Sequence, residues 1–310
     1  MSDRPSKQLK LNAFFSLTAA FSLAVGAYMP TVATGAPLKE RLTPHRALYE
    51  MNLDEVRQGG NVSSAKGVMY YRFELLCDGW EVETRVALRL GYGTGSESET
   101  VDTKWSFSSF ETFDEKRLSF QVDHSQGDDL IEVYDGDAVR DVETGEGKAD
   151  FYVPGGTQSA LPKGTLFPAQ HLVRLLETAR SGGTLDRSTV FDGASIVNPY
   201  VVNTVVIGRV KNAPLAGILP QSPKSAQNNA DAAKAVPAKL EAVEPVIQPV
   251  WRFRMAYFPL DEVASLPDFE LEIDYREDGV ATRIEQDFGD LVLGLTPSKI
   301  ETLPYPDCTE

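Results

Sequence analysis

Alternation of apolar and polar side chains runs through most of this chain. Between residues 80 and 90, Trp80, Val82, Thr84, Val86, Leu88 and Leu90 share one parity while Glu81, Glu83, Arg85 and Arg89 hold the other. A period of two sustained over that length predicts a strand with one face in a core and one in water. Comparable segments at residues 49–56 and 67–75 precede it, and others follow at 99–112, 117–124, 130–134, 138–142 and 147–153. Gly59-Gly60, Asp78-Gly79, Gly127-Asp128 and Asp135-Gly136 lie between them and supply turn chemistry, so the first half reads as an antiparallel meander.

One segment has a different period. Residues 168–181 open on Pro168, place Leu172, Leu175, Leu176 and Ala179 on one helical face, and are followed by Gly182-Gly183. Proline at the start and glycine past the end predict a single helix packed on the sheet. Strands resume at 188–192 and 200–210, then at 250–258, 269–275 and 280–288, with 287–293 continuing past a bulge at Gly289. Residues 300–308 contain two prolines and read as irregular chain. The expected fold class is mainly β: one large antiparallel open-barrel sheet with one packed α-helix.

Composition interrupts the pattern twice. At the start, Arg4, Lys7 and Lys10 precede a short apolar run over residues 11–27, with small residues at Thr31-Val32-Ala33 and Thr34-Gly35-Ala36. This is the layout of an export signal, giving a leader over residues 1–36 and one mature domain over 37–310. The alternative is a retained anchor, although the run is shorter than the ~20 residues a bilayer span needs. No cysteine lies near the cut, so lipidation there is excluded. Residues 214–249 are rich in Ala, Pro, Gln and Asn with no aromatic, which predicts a flexible insertion within a hairpin, the alternative being a linker between domains.

An exported chain gives its two cysteines, Cys77 and Cys308, a structural disulfide as their simplest reading; two free thiols or an intermolecular bridge are the other options. The formal charge of -15 disfavours nucleic acid and anionic membrane surfaces, leaving contact with a membrane peripheral at most.

The search for chemistry returns little. His45, His124 and His171 stand apart and form no metal-ligand spacing, so no metal is expected. His171 lies in the first turn of the predicted helix; it is either a site residue or a packed histidine that orients the loop before it. No nucleophile elbow, phosphate-binding glycine loop or dinucleotide fingerprint occurs, and no catalytic residue or cofactor is expected. Carboxylate pairs such as Asp128-Asp129 and Asp135 with Asp137 fit solvated turns better than the two-carboxylate pair of a glycan hydrolase. The aromatics at strand positions suit a core, or the lining of a ligand cavity.

Several short motifs add a resemblance. Cys77-Asp78-Gly79-Trp80, Gly164-Thr165-Leu166-Phe167-Pro168 with His171, Phe191-Asp192-Gly193, Asp278-Gly279-Val280, Asp287-Phe288-Gly289-Asp290 and the late Cys308 occur in an order that resembles the EipB family of periplasmic cell-envelope integrity proteins. The resemblance spans roughly residues 45–308. It implies a β-spiral with a helix against it, a cysteine pair falling on Cys77 and Cys308, and family-motif positions at Asp78, Gly79, Trp80, Phe167, Pro168, His171, Asp192 and Gly193. The expected function is envelope maintenance by binding a periplasmic protein, a lipid or a lipoprotein, with a carrier that shelters an acyl chain or lipoprotein in its concave face as the alternative.

Overall fold

The computed structural model describes residues 41–57, 60–93, 99–141, 143–210, 218–219, 248–260 and 265–308. The alternating segments become long strands: β1 (His45–Val56), β2 (Val62–Leu75), β3 (Gly79–Tyr92), β4 (Glu99–Thr112), β5 (Arg117–Gln126), β6 (Asp129–Arg140), β7 (Gly147–Val153) and β8 (Thr157–Leu161). After helix α1 (Pro168–Arg180) come β9 (Leu185–Val190), β10 (Tyr200–Arg209), β11 (Ile218–Leu219), β12 (Val250–Pro259), β13 (Phe269–Arg276), β14 (Ala281–Asp287) and β15 (Leu291–Thr302).

One sheet contains all of them. Its order is β8-β7-β6-β5-β4-β3-β2-β1-β15-β14-β13-β12-β10-β9, antiparallel throughout, and β11 pairs in parallel with Ile300 and Glu301 of β15, beyond the stretch of β15 that β14 covers. Most neighbours are consecutive hairpins, but β1 and β15 join the two ends of the chain, from His45 opposite Thr302 to Val56 opposite Leu291. The sheet is not closed into a barrel. Helix α1 carries the chain from one edge of the sheet to the other, and the segment before it touches the far edge: the Leu166 N–H donates to the Thr189 carbonyl at 2.8 Å and the Phe191 N–H to the Leu166 carbonyl at 3.0 Å.

The inner face is apolar along its whole length and holds two clusters. The larger gathers Tyr49, Met69, Phe73 and Trp80 with Phe253, Met255 and Leu295 around Val173, Leu175, Leu176 and Ala179 of α1. The smaller fills the roll of β4 to β8 with Phe120, Val122 and Phe151, closed by Phe167 and Phe191. Because sheet surrounds the helix on more than one side, its buried set is wider than a single stripe. Ala169, Gln170, His171 and Val173 are enclosed, and Leu172, expected on the inner stripe, is only partly covered.

Four local expectations change. The predicted strands at 130–134 and 138–142 are one strand, β6, and Asp135-Gly136-Asp137 is not a turn. Asp137 belongs to the solvent face there, where its carboxylate accepts from Arg117, Ser119 and Tyr152 at 2.7 to 3.1 Å, while Tyr134 and Ala138 point inward. Strand β8 was not foreseen, since it buries only Leu161 of its five residues. Phe288-Gly289-Asp290 closes a hairpin rather than a bulge, with the Phe288 N–H donating to the Leu291 carbonyl at 3.0 Å. Finally, β15 continues to Thr302 through Pro297, which sits beside a register shift against β1 and beyond the end of the β14 ladder, where a missing N–H is tolerated.

The leader expected over residues 1–36 lies outside the described residues, as does the insertion expected over 214–249 apart from Ile218, Leu219, Gln248 and Pro249. That segment joins β10 to β12, which are antiparallel neighbours.

Cys77, in the β2–β3 turn, and Cys308 form a disulfide across a sequence separation of 231, with Cα atoms 5.6 Å apart. From Thr302 the chain passes the start of β1, where the Leu303 N–H donates to the Pro44 carbonyl at 2.8 Å, and reaches that turn. Both cysteines are exposed, so the bond constrains chain ends rather than filling core. A loop of this length stabilises the folded state by up to ~5 kcal/mol in the chain-entropy account. Cys77→Ser is therefore expected to lower the melting temperature, and reductant to lower that of the parent alone. Equal melting of parent and variant, with and without reductant, would remove the disulfide from the stabilising account.

Candidate functional site

The motif positions converge on the N-terminus of α1. Phe167 is the N-cap residue and Pro168 the first helical residue, so the side chain at the cap has no oxygen to offer the free N–H groups. A strand residue fills that role. Glu111, at the inner end of β4 and only 3 % exposed, accepts from the Ala169 N–H at 2.8 Å and the Gln170 N–H at 3.4 Å. Gln170 completes the arrangement by accepting from the Phe167 N–H at 3.2 Å. The helix dipole favours a carboxylate there, but burial outweighs it and pushes the Glu111 carboxyl up to about 7.

Glu111 also links the first motif to the second, because it stands directly opposite Trp80 in the β3–β4 ladder. Trp80 is buried, stacked on Phe73 at 4.3 Å between centroids and meeting Phe113 edge-on at 6.2 Å. Asp78 is exposed and acts through its backbone, accepting from the Phe113 N–H at 3.0 Å. A side chain at Gly79 would place its Cβ 2.3 Å from the Glu111 carbonyl, so only glycine lets β3 and β4 approach at this point.

The third motif completes the same neighbourhood from β9. Phe191 packs edge-on against Phe120 and Phe151. Asp192 turns the chain away, its carboxylate accepting from the Ala194 N–H at 2.9 Å and the Asn198 amide at 3.0 Å. Gly193 has a φ of +74° and a Cβ there would meet the Phe120 ring at 2.3 Å. Arg140 stacks over the Phe167 ring at 5.1 Å and donates to the Thr165 carbonyl.

His171 is buried one turn into the helix, facing Asp186 and Arg174, and its Nε2 has no hydrogen-bond partner among the described residues. Burial lowers it to about 4, with Asp186 opposing and Arg174 reinforcing the shift. The Ser188 hydroxyl donates to Asp186 Oδ2 at 2.6 Å. The other histidines lie elsewhere. His45 is buried beside Tyr71 and Phe73, and His124 contacts Thr103 at 3.0 Å on β4. Among the described residues no group of three His, Cys, Asp or Glu side chains could hold a metal ion, and no helix is long and apolar enough to cross a membrane.

Sequence reasoning found both motifs that meet at the helix but not Glu111, the residue between them. Its only signal was a glutamate on the apolar parity of a strand, in line with Phe107 and Ser109.

The profile of a known family matches residues 37–304. The chain belongs to the EipB-like family. Among curated proteins it is similar to the cell envelope integrity protein EipB of Brucella abortus (strain 2308), with 25% identity over 261 residues covering 83% of each chain. Among solved structures it is similar to a β-barrel-like protein of a domain of unknown function from Brucella abortus. The TM-score is 0.67 at 22% identity, covering 85% of this chain and 99% of that one. That likeness establishes the shared fold: a mostly β, unclosed antiparallel sheet with one helix.

The two buried groups at the helix make opposite contributions to stability against pH. Glu111 has a raised folded pKa, so its contribution is fully present below 4.5 and is lost as pH rises through about 7. His171 has a lowered one, so its contribution is lost as pH falls from 6.5 through about 4. Glu111→Gln is therefore expected to gain stability relative to the parent as pH rises from 4.5 to 7.5, and His171→Gln to gain it as pH falls. Each differential spans at most ~3 kcal/mol, from the size of the shift. Melting curves of the three proteins across pH check this, and parallel profiles would show that neither group titrates between folded and unfolded states.

Proposed function

We propose that this chain is a periplasmic envelope-integrity factor that acts by binding rather than by catalysis. The observation that supports it most is the match of nearly the whole mature chain to the EipB-like family, together with a relative named for cell envelope integrity. The reading of residues 1–36 as an export leader places the mature protein in the periplasm, where a disulfide persists.

Binding fits the interior chemistry better than catalysis. The buried ionisable groups serve the fold: Glu111 caps a helix and Asp192 organises a turn. His171 is held neutral. The carboxylates considered for glycan hydrolysis face solvent, where Asp137 is tied to Arg117, Ser119 and Tyr152, Asp128 lies in the β5–β6 turn and Asp129 opens β6.

Deleting the gene in the bacterium that encodes this chain is expected to sensitise cells to detergent. Full-length protein supplied in trans restores resistance, and a version lacking residues 1–36 does not. Rescue by the leaderless version would remove the periplasmic placement, and unaltered resistance in the deletion strain would remove the envelope role.

A further inference from the structure

The concave face of the sheet is occupied by α1 and by stacked rings such as Tyr257 on Phe269. The opposite face carries many paired charges. Across β2 to β6, the cross-strand row Val68, Ala87, Lys104, Ser125, Leu130 runs perpendicular to the strands, each residue paired with the next. Small side chains at Ala87, Ser125 and the neighbouring Ser106 leave a depression of about 580 Å³, and a second of about 540 Å³ adjoins it, sharing Ala87 and Lys104.

The two halves differ in chemistry. The first is walled by Val68, Tyr70 and Leu130; Val68 is 44 % exposed and Leu130 64 %, so both hold apolar surface in water. The second is framed by Lys66, Arg89 and Lys104. Asp102 in that half is held by two guanidinium nitrogens of Arg89, at 2.7 and 2.8 Å, and the Lys104 charge acts on it as well; among the described residues neither Lys66 nor Lys104 makes a salt bridge. Arg85 and Asp123 also line the first half, and Asp128 the second. On a chain of formal charge -15, Lys66 and Lys104 beside this depression complement a negative head on an apolar tail.

We propose that this groove binds a single-chain lipid with an anionic head, its tail in the depression lined by Val68, Tyr70 and Leu130 and its head at Lys66 and Lys104. A peptide fits less well. Strands β2 to β5 are hydrogen-bonded on both sides, so no free edge is offered to a partner backbone, whose polar groups would lie unpaired over Val68 and Ala87. An acyl chain makes no such demand. The acidic remainder of the surface opposes docking on an anionic bilayer, so the occupant is a lone lipid molecule. The proposal rests on the reading of the chain as an envelope binding protein and names the class of ligand.

Calorimetric titration of the mature, oxidised protein with lauroyl lysophosphatidylglycerol below its micelle concentration tests it, with lauroyl lysophosphatidylcholine as the neutral-head control. The expected result is saturable binding of the anionic lipid, weaker binding of the control, and losses of about tenfold or more in Lys104→Glu and in Ala87→Trp, one acting on the head and one filling the trough. Both substitutions lie on the solvent face and are expected to leave the melting temperature unaltered. Absence of binding, equal affinity for both lipids, or binding that neither variant weakens would overturn the assignment. So would capture of an acidic, leucine-containing peptide with both lipids inert. Any of these results alongside successful genetic rescue would sink the groove while leaving the envelope role standing.

Discussion

The pairing of β1 with β15 is the contact on which the rest of the fold depends. Strands β1 to β8 are consecutive hairpins, and so are β12 to β15, so each half can assemble from near neighbours. Nothing local joins the halves. The β1–β15 ladder does so by bringing residues near 45 against residues near 302, and it sits in the middle of the sheet order, not at an edge. The entropy of closing so long a loop grows only slowly with its length, and two features offset it. Ala47, Tyr49 and Met51 bury one face of β1, with the Tyr49 hydroxyl donating to the Ala281 carbonyl at 2.9 Å, and the Cys77–Cys308 bond holds the tail after β15 to the next hairpin along.

Once the halves are joined, the helix decides how far the sheet curls. Its chain leaves one edge of the sheet at β8 and returns at the other as β9, so α1 must lie across the concave face. Glu111 fixes where. A carboxylate on a strand replaces the side-chain cap that Phe167 cannot provide, and it accepts a cost in desolvation in exchange for locating the helix against β4. With the helix start held there, Phe167 and Phe191 close the smaller cluster, and the glycines at 79 and 193 become necessary because other groups occupy the space a side chain would take.

How much of this was legible follows from the range of each interaction. Strands with strict alternation, such as β3, and the helix between Pro168 and Gly182 could be read directly, since their signals are local. Asp135-Gly136-Asp137 misled because composition resembled a turn, whereas pairing with β5 and β7 on both sides kept the segment extended. Strand β8 carried too few apolar residues to announce itself, and β15 was hidden by Pro297, whose tolerance depends on a register shift against a strand 250 residues away. Glu111 was invisible for the same reason: a cap supplied from 58 residues upstream has no spacing rule.

A sheet with one face consumed by its own core has only the other face and its edges left for recognition. In this chain that outer face is laced with cross-strand ion pairs, among them Arg252 with Asp274 and Arg254 with Glu272, which satisfy each other and leave little unmet demand. Charges of this kind along the strands keep a long antiparallel surface from associating with another copy of itself. The strip over β2 to β6 sets small floor residues, exposed aliphatic walls and, among the described residues, two lysines that make no salt bridge beside the Arg89–Asp102 pair. Stability asks for none of these features, since removing Val68 or Leu130 from water would cost the sheet nothing in pairing. Their coincidence is therefore better explained by what the surface meets than by how the chain folds.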